Sequence, residues 1–316
     1  MKKSTLKEMI LAITYQCNSR CRMCGIWKKI NPPEINLADV HKIPGNLKDI
    51  NITGGEPFLC RNLIEIIKIF SAKSPRASLI ISSNGFATNV IIAKMKEILK
   101  MKPDAGVAIS LDGIGKAHSE IRGIENGYEK ALATLFALKR LKVKKLRFSF
   151  TLGDYNCDQL KPVYELSRKL GVEMSLTLVH SGDQYFNTQN FVTQKKDLAG
   201  VLDWLIKEEL SFWNVKEWLR AYYAFGMKRF VLTGKRILPD YSGRDGVFVD
   251  PDGNIFPSDI SEQILGNIKN FNFSEINSME IKENKPSWMI CTARTAIRKH
   301  WFRAGMWILR NKFLSL

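Results

Sequence analysis

The sequence contains no long hydrophobic run. Hydrophobic residues make up 45% of the chain, but no stretch approaches the roughly 18 consecutive apolar residues that a membrane-spanning helix needs. We therefore expect a protein that is not integral to a bilayer. Low-complexity tracts and internal repeats are also absent from the sequence, which predicts a chain that is folded throughout.

The first residues lack the features of a secretion signal. Lysines precede an apolar run, but Lys7 and Glu8 interrupt it, and no small-residue cleavage site follows. We interpret this segment as the lead-in to a strand and expect a cytoplasmic protein.

Acidic residues are scarce relative to basic ones. The chain has 31 Asp and Glu against 48 Lys and Arg, which gives a formal net charge of +17. Such an excess is unusual for an enzyme that acts on small molecules. It predicts an anionic partner: nucleic acid, an acidic membrane surface or a phosphorylated substrate.

Cysteines number only six. In a chain without a secretion signal, they favour metal or redox chemistry over disulfides. Their spacing is therefore informative, and it depends on where each cysteine lies in the fold.

Short β-rich runs alternate with longer stretches of helical periodicity. The strands are predicted at 8–14, 48–53, 78–83, 105–111, 145–151 and 172–179. Helices fit between them at about 61–73, 87–101, 126–141 and 158–170. This alternation predicts a parallel sheet or barrel, and six units are fewer than the eight of a closed barrel. The expected fold class is α/β: a partial (β/α)6 barrel of the TIM type with a smaller C-terminal α+β extension.

The pattern changes after about residue 190. A helical, aromatic-rich region covers about 194–229, and Asp250-Pro251-Asp252-Gly253 predicts the turn of a hairpin. We therefore divide the chain into a barrel domain, 1–190, and a C-terminal region, 191–316.

Three cysteines, Cys17, Cys21 and Cys24, directly follow the first predicted strand. Ligands of parallel α/β folds sit at the carboxyl ends of the strands, so these thiols lie at the expected active-site end. Three thiolates suit a [4Fe-4S] cluster with one iron left open. Structural zinc is the main alternative, but such sites usually have four ligands, and no fourth Cys or His lies nearby in the sequence.

Further motifs follow the next three strands: Gly54-Gly55-Glu56-Pro57, Ser82-Ser83-Asn84-Gly85 and Ser110-Leu111-Asp112-Gly113. With the cysteine triad, they resemble the radical S-adenosylmethionine (radical SAM) superfamily over residues 8 to about 180. Within it, the chain is most similar to the branch of the molybdenum-cofactor and pyrroloquinoline-quinone maturases.

The resemblance implies a chemistry and its cofactors. Cys17, Cys21 and Cys24 would hold the [4Fe-4S] cluster, whose open iron binds S-adenosylmethionine (SAM). One electron, from a donor such as flavodoxin or ferredoxin, would cleave SAM to a 5′-deoxyadenosyl radical that abstracts hydrogen from the substrate.

The same resemblance assigns SAM contacts to motif residues. Gly54 and Gly55 would let the backbone approach the SAM methionine, and Glu56 would accept hydrogen bonds from its ammonium group. The remaining contacts would come from Ser82 and Asn84, from Ser110 and Asp112 at the ribose or carboxylate, and from Arg122 at the carboxylate. Strand-end turns, helix caps and a surface arginine are the structural alternatives for these residues.

The other cysteines separate by position. Cys60 lies in an apolar run and is interpreted as a packing residue. Cys157 leaves the fifth strand on the predicted active-site face and is a candidate hydrogen donor to a substrate radical. His180 and Asp183 follow the sixth strand and are candidate substrate contacts.

The C-terminal region resembles the SPASM or twitch extension of this branch in three segments: 248–258, 265–268 and 288–291. In relatives a cysteine usually follows the proline where this chain has Ser258, and others ligate auxiliary clusters. Here only Cys291 remains. One thiolate cannot hold a second cluster, which takes about four ligands. We therefore expect no auxiliary cluster and interpret the region as a lid or substrate platform.

The end of the chain is basic and aromatic. From Lys285 onward there are seven Lys or Arg and no Asp or Glu. Ile297, Trp301, Ala304 and Ile308 fall at helical spacing, which is typical of an amphipathic basic helix on an anionic membrane. Two alternatives stay open: this stripe packs on the barrel, or the aromatic and basic residues contact RNA.

The predicted function is therefore a radical SAM enzyme acting on an unidentified substrate that is anionic or membrane-associated. A peptide- or RNA-modifying member of the superfamily is one alternative. A non-catalytic iron-sulfur or RNA-binding protein on the same fold is another, although a protein that had lost the reaction need not keep these motifs.

Overall fold

Six parallel strands and their helices form the main body of the computed structural model, which describes residues 6–183, 185–282 and 286–314. The strands are β1 (Glu8–Ala12), β2 (Asp49–Thr53), β3 (Ser78–Ser83), β4 (Gly106–Ser110), β5 (Leu146–Leu152) and β6 (Glu173–Leu178). The helices of this part are α1 (Leu37–Val40), α2 (Leu63–Lys73), α3 (Thr88–Met101), α4 (Lys116–Arg122), α5 (Gly127–Arg140) and α6 (Leu160–Lys169). The predicted strands and the four predicted helices are confirmed to within three residues at each end. The short helices α1 and α4 are missing from the prediction.

The strands alternate between buried and half-buried residues. In β3, Leu79 and Ile81 are buried against the helices, while Ser78 and Ser82 face the inside of the curved sheet and line a cavity. A period of two places successive side chains on opposite faces. The inner face of this sheet is therefore largely polar, which leaves room for ligands inside.

The sheet is open, as expected, but the C-terminal region extends it. Strand β7 (Gly246–Val249) pairs in parallel with β1, and β8 (Asn254–Phe256) and β9 (Gly266–Asn267) continue antiparallel. The strand order is β6-β5-β4-β3-β2-β1-β7-β8-β9. The predicted turn between β7 and β8 is confirmed. The Asp250 carboxylate accepts hydrogen bonds from the Asn254 backbone (2.8 Å) and side chain (3.0 Å), and Gly253 has φ of +84°.

Four helices complete the C-terminal region: α7 (Lys195–Ser211), α8 (Val215–Thr233), α9 (Ile290–Lys299) and α10 (Trp301–Phe313). The predicted helical region 194–229 is thus two helices, with Asn214 capping α8 by accepting a hydrogen bond from the Lys216 backbone. No helix within the described residues is both long enough and apolar enough to cross a bilayer.

Candidate active site

The cysteine loop lies between β1 and α1 and is held by backbone contacts to the end of α4. The Arg20 and Arg22 amides donate to the carbonyls of Arg122 and Ile121, at 2.9 and 2.8 Å. Gly123 follows Arg122 with φ of +61°, and a Cβ there would meet the Arg20 carbonyl oxygen at 2.6 Å. The loop therefore depends on a glycine more than a hundred positions away.

The three thiols of this loop line one cavity of about 370 Å³. None is in a disulfide, and each is half-buried. The Cys21 sulfur lies 3.0 Å from the Ser19 hydroxyl and accepts a hydrogen bond from Arg122 Nη1 at 3.5 Å. The structure thus brings the triad together at the carboxyl ends of the strands, where the sequence predicts it.

Burial is the main influence on the pKa of two of these thiols, Cys17 and Cys24, in the protein alone. It raises the pKa of Cys17 to about 12 and that of Cys24 to about 11, and Arg122 partly opposes the rise at Cys24. Positive charge in the site is therefore needed to hold the thiolates. Arg20 instead bonds to backbone carbonyls and lies over Trp27, so it does not supply this charge.

The number of thiols in the cavity suits an iron-sulfur cluster. In a [4Fe-4S] cluster each thiolate binds a different iron, so three thiolates leave one iron open. Three thiols that line one cavity therefore fit such a cluster.

Arg122 is held by a buried ion pair. Its Nε donates to Asp112 Oδ2 at 2.5 Å, and the other Asp112 oxygen accepts from the Thr151 amide at 2.7 Å. Arg122 lines the cavity, whereas Asp112 is fully buried behind it. Asp112 therefore holds Arg122 in place from outside the cavity lining, and its expected contact with SAM stays a prediction.

Gly54 and Gly55 line the cavity, and their lack of side chains has a local cause. A Cβ on Gly54 would meet the Thr14 carbonyl oxygen at 2.2 Å, and one on Gly55 would meet the Gln16 carbonyl oxygen at 2.3 Å. The close approach is to the segment that leads into the cysteine loop. The two glycines therefore place the loop, in addition to leaving room for a ligand.

Glu56 is fully buried and lies outside the cavity lining. Its carboxylate accepts hydrogen bonds from the Phe58 amide, the Ser83 hydroxyl and the Asn84 amide, at 3.2, 3.0 and 2.7 Å. Burial raises its pKa to about 7. The carboxylate ties the loop after β2 to the loop after β3, and the bond from Glu56 to the SAM ammonium group stays a prediction.

Ser82, Asn84 and Ser110 line the cavity, as the motifs predict. The Ser82 hydroxyl donates to the Asn51 side chain at 3.0 Å. The Asn84 side chain donates to Asn18, next to Cys17, at 2.7 Å. These contacts connect the third strand end to the cysteine loop.

The loop after β6 covers the cysteine loop with aromatic side chains, which sequence reasoning missed. The Tyr185 hydroxyl donates to the Gly54 carbonyl at 2.9 Å, and the Gly25 amide donates to the Phe186 carbonyl at 2.7 Å. Both rings belong to an apolar cluster that contacts Cys17 and Cys24. Two adjacent aromatic residues in a loop after a barrel strand were the available signal.

His180 lines the cavity, and Asp183 does not. Burial lowers the pKa of His180 to about 4, and its Nε2 is buried without a hydrogen-bond partner. The ring is therefore neutral at pH 7. Asp183 is exposed and accepts a hydrogen bond from Gln189 at 2.7 Å.

Cys157 lies outside the cavity lining, on a single 3-10 turn before α6. The thiol packs against the main core. The thiol is not among the groups that line the cavity, and its role as a hydrogen donor stays a prediction. Cys60 is fully buried, as its apolar surroundings predict, and Cys291 of α9 does line the cavity.

Comparison with known proteins shows which family the chain resembles. The family model of the radical SAM superfamily matches residues 11–166. A probable GTP 3′,8-cyclase of Metallosphaera sedula is 27% identical over 187 residues, which is 55% of this chain and 56% of that protein. Pre-heme d1 synthase of Dinoroseobacter shibae is 31% identical over 54% of this chain and 43% of its own length. The chain thus spans about half the length of these curated relatives.

A longer match involves the sporulation killing factor maturation protein SkfB of Bacillus subtilis, which is 22% identical over 85% of this chain and 64% of that protein. Among solved structures, anSMEcpe with bound AdoMet has a TM-score of 0.64 at 16% identity, covering 97% of this chain and 100% of that one. SuiB of Streptococcus suis with bound S-adenosylmethionine has a TM-score of 0.61 at 11% identity, covering 86% and 65%. At these identities the structures show a shared fold.

Proposed function

Because this chain belongs to the radical SAM superfamily, whose members use a [4Fe-4S] cluster and SAM, we propose that it cleaves SAM reductively and abstracts hydrogen from a substrate held in the barrel. The observation that carries this proposal is the single cavity that three thiols, the glycine pair and Arg122 line together. When bound by Cys17, Cys21 and Cys24, the cluster supplies the electron that breaks the bond between sulfur and C5′ of SAM.

The residues of the chain bind, orient and shield the reactants in this proposal. Arg122, fixed by Asp112, offers Nη1 to the cysteine loop and a charge to the SAM carboxylate. Ser82, Asn84 and Ser110 supply hydroxyl and amide groups along the SAM pocket. Tyr185 and the adjacent aromatic residue cover the loop and keep water from it.

His180 is proposed to contact the substrate, because its neutral ring lines the cavity with a free nitrogen. The substrate is proposed to be anionic, which agrees with the charge of +17. A reduced flavodoxin or ferredoxin is the proposed electron donor. A peptide substrate is the alternative: SkfB is named as a killing-factor maturation protein, and anSMEcpe was crystallised with a peptide.

An electron paramagnetic resonance experiment tests the cluster site. The reconstituted, dithionite-reduced protein is expected to contain close to four irons and to change its spectrum when SAM is added. Cys21→Ala should lose both, while Cys157→Ala, outside the cavity, should keep both. A spectrum insensitive to SAM would contradict the proposal, and close to eight irons would overturn the expectation that there is no auxiliary cluster.

We also propose that α10 places the enzyme on an anionic membrane surface. Its outer face exposes Trp301, Phe302, Met306 and Leu309, with exposed fractions of 71, 63, 58 and 56%. Phe302, Met306, Leu309 and Phe313 share one face at i, i+4, i+7 and i+11. No Asp or Glu occurs between residues 286 and 314. Large apolar side chains beside basic ones suit the interface of an anionic bilayer.

A further inference from the structure

The cavity extends away from the cysteine loop to a charged floor at the amino ends of the strands. Glu8 of β1, Asp49 of β2 and Arg147 of β5 line it there, with Arg294 of α9. Each of the three strand residues points to the inner face of the sheet. The floor therefore lies at the opposite end of the same space that the thiols line.

The two carboxylates of the floor are already neutralised. Arg294 pairs with Glu8 at 3.1 Å and with Asp49 at 3.5 Å, and Arg298 pairs with the same two residues at 3.4 and 3.0 Å. The Thr295 hydroxyl donates to Glu8 at 2.7 Å. Helix α9 thus supplies one positive charge for each negative charge of the floor.

A third carboxylate, beside the floor, also has ion-pair partners. Glu173 of β6, which pairs with Arg147 across the strands, forms ion pairs with Lys216 and Arg220 of α8. The connected group of floor residues contains three carboxylates, Glu8, Asp49 and Glu173, and five cations, Arg147, Lys216, Arg220, Arg294 and Arg298. It therefore has an excess of two positive charges.

Of the five cations in this group, Arg147 is the one that forms no ion pair. Its Nε is buried without a hydrogen-bond partner, and its guanidinium forms no ion pair within the described part of the chain. Burial lowers its pKa, the Glu173 carboxylate opposes this effect, Arg294 and Arg220 add to it, and Asp49 opposes it. An arginine stays protonated near neutral pH in any case. A charge that is partly withdrawn from water and has no ion-pair partner is costly to the folded state. An anion at this position would remove that cost.

We propose that Arg147 binds an oxyanion of the substrate, a carboxylate or a phosphate, at the floor of the cavity. The planar guanidinium suits two-pronged recognition of either group. Ser149 lies on the same inner face one pair of residues farther along β5, with Ser175 opposite it on β6, so hydroxyl groups line the path toward the thiols. This inference rests on the proposed function only in taking the bound anion to be part of the substrate.

The distance along β5 sets the size of such a substrate. Arg147 and Thr151 are four residues apart, which is about 13 Å along a strand. The Thr151 amide bonds to Asp112, the partner of Arg122. The oxyanion would therefore lie on the order of 13 Å from the end of the cavity where the proposed function places hydrogen abstraction, which corresponds to a small metabolite or one terminal residue of a larger molecule.

The test measures anion binding with inorganic phosphate and with succinate as separate probes. Thermal unfolding of the cluster-loaded protein with SAM is followed as each anion is titrated, because a ligand of the folded state raises the midpoint with its concentration. The two probes distinguish phosphate from carboxylate recognition. The variants are Arg147→Met, Arg147→Lys and Arg76→Met, a control that removes an exposed arginine of the same charge.

We expect at least one anion to raise the wild-type midpoint, with an affinity about tenfold or more weaker in Arg147→Met, partly kept in Arg147→Lys and unchanged in Arg76→Met. Without anions, Arg147→Met should melt above the wild type, because it removes the uncompensated charge. A wild type that responds to neither anion, or an Arg147→Met variant that responds like the wild type, would overturn the inference. The SAM-dependent resonance spectrum, recorded on the same wild-type sample, separates this failure from a failure of the proposed function.

Discussion

Gly54 shows how one missing side chain positions the cysteine loop. Its φ is +145°, and a Cβ would meet the Thr14 carbonyl oxygen at 2.2 Å, so an alanine must displace the backbone before Cys17. We expect Gly54→Ala to lower both the iron content and the melting temperature. Gly200 of α7 is the matched control, because nothing lies within 4 Å of its Cβ position. Gly200→Ala should keep the iron and stabilise the helix by up to about 1 kcal/mol. Wild-type iron in Gly54→Ala would show that the loop tolerates the shift.

Glu209 of α7 gives a pH-dependent prediction away from the site. Burial raises its pKa to about 7, above the ordinary value near 4.5, so the folded protein holds a proton that the unfolded chain releases between these values. Its contribution to stability is present below pH 4.5 and is lost as the pH rises through 7. Glu209→Gln should remove this loss.

The advantage of Glu209→Gln over the wild type should therefore grow between about pH 4.5 and 7, by at most about 1.4 kcal/mol per pH unit, and level off above. Melting temperatures of both proteins from pH 5 to 8 measure it. A difference that stays constant over this range would mean that the carboxylate is not kept protonated by burial.

Single residues also show which parts of the site could be predicted from the sequence. The thiols, Ser82, Asn84 and Ser110 lie where strand-end motifs place them, because parallel strands end at one edge of the sheet. The contacts of Glu56 and Asp112 could not be predicted in this way, because their partners lie on other parts of the chain. Glu56 bonds to the loop after the next strand, and Asp112 bonds to Arg122. The pairing of buried polar groups depends on distances that spacing in the sequence does not determine.

Among the elements, the barrel strands were predictable, whereas the short helices and the division of the C-terminal helical regions were not. Apolar runs between turns mark each barrel strand, whereas α4 is a single short helix with little periodicity. The predicted helical stripe is divided between two helices, because α9 ends and α10 begins at His300. Its residues are Ile297, Trp301, Ala304 and Ile308. Ile297, Ala304 and Ile308 are buried against the body and Trp301 is exposed. The packing alternative therefore holds for the inner face, and a second apolar face points outward.

That outer face of α10 makes a prediction about membranes. The wild type should float with vesicles containing phosphatidylglycerol at low salt, and the variant Phe302→Ser/Met306→Ser/Leu309→Ser should bind at least about tenfold more weakly, because each serine removes apolar area from the interface. Phe136→Ser is the control, since Phe136 of α5 is 41% exposed outside α10.

Two results would contradict the membrane proposal. One is a wild type that does not float even at low salt, and the other is a triple variant that floats as well as the wild type. Loss of a dimer in the triple variant, without vesicle binding by the wild type, would assign the face to a second copy of the chain.

The whole molecule is a partial barrel whose two ends carry different groups of residues. The thiols, the glycine pair and Arg122 lie at the carboxyl ends of the strands. The ion pairs of the floor lie at the amino ends, together with Arg147, which has no ion-pair partner among the described residues. Strand β7 pairs with β1, and α9 supplies part of the floor. The C-terminal region therefore completes the wall of the cavity, through strand pairing and helix packing. The resemblance of its motifs to a known extension could not show this.

The direct test of the central claim is the formation of 5′-deoxyadenosine. The reconstituted protein is incubated anaerobically with SAM and dithionite, and the products are separated by chromatography. We expect 5′-deoxyadenosine to accumulate with the wild type and with Cys157→Ala, and to be absent with Cys17→Ala, Cys21→Ala or Cys24→Ala. A wild type that forms none, even with anionic and peptide candidate substrates present, would contradict SAM cleavage and favour a binding protein on the same fold.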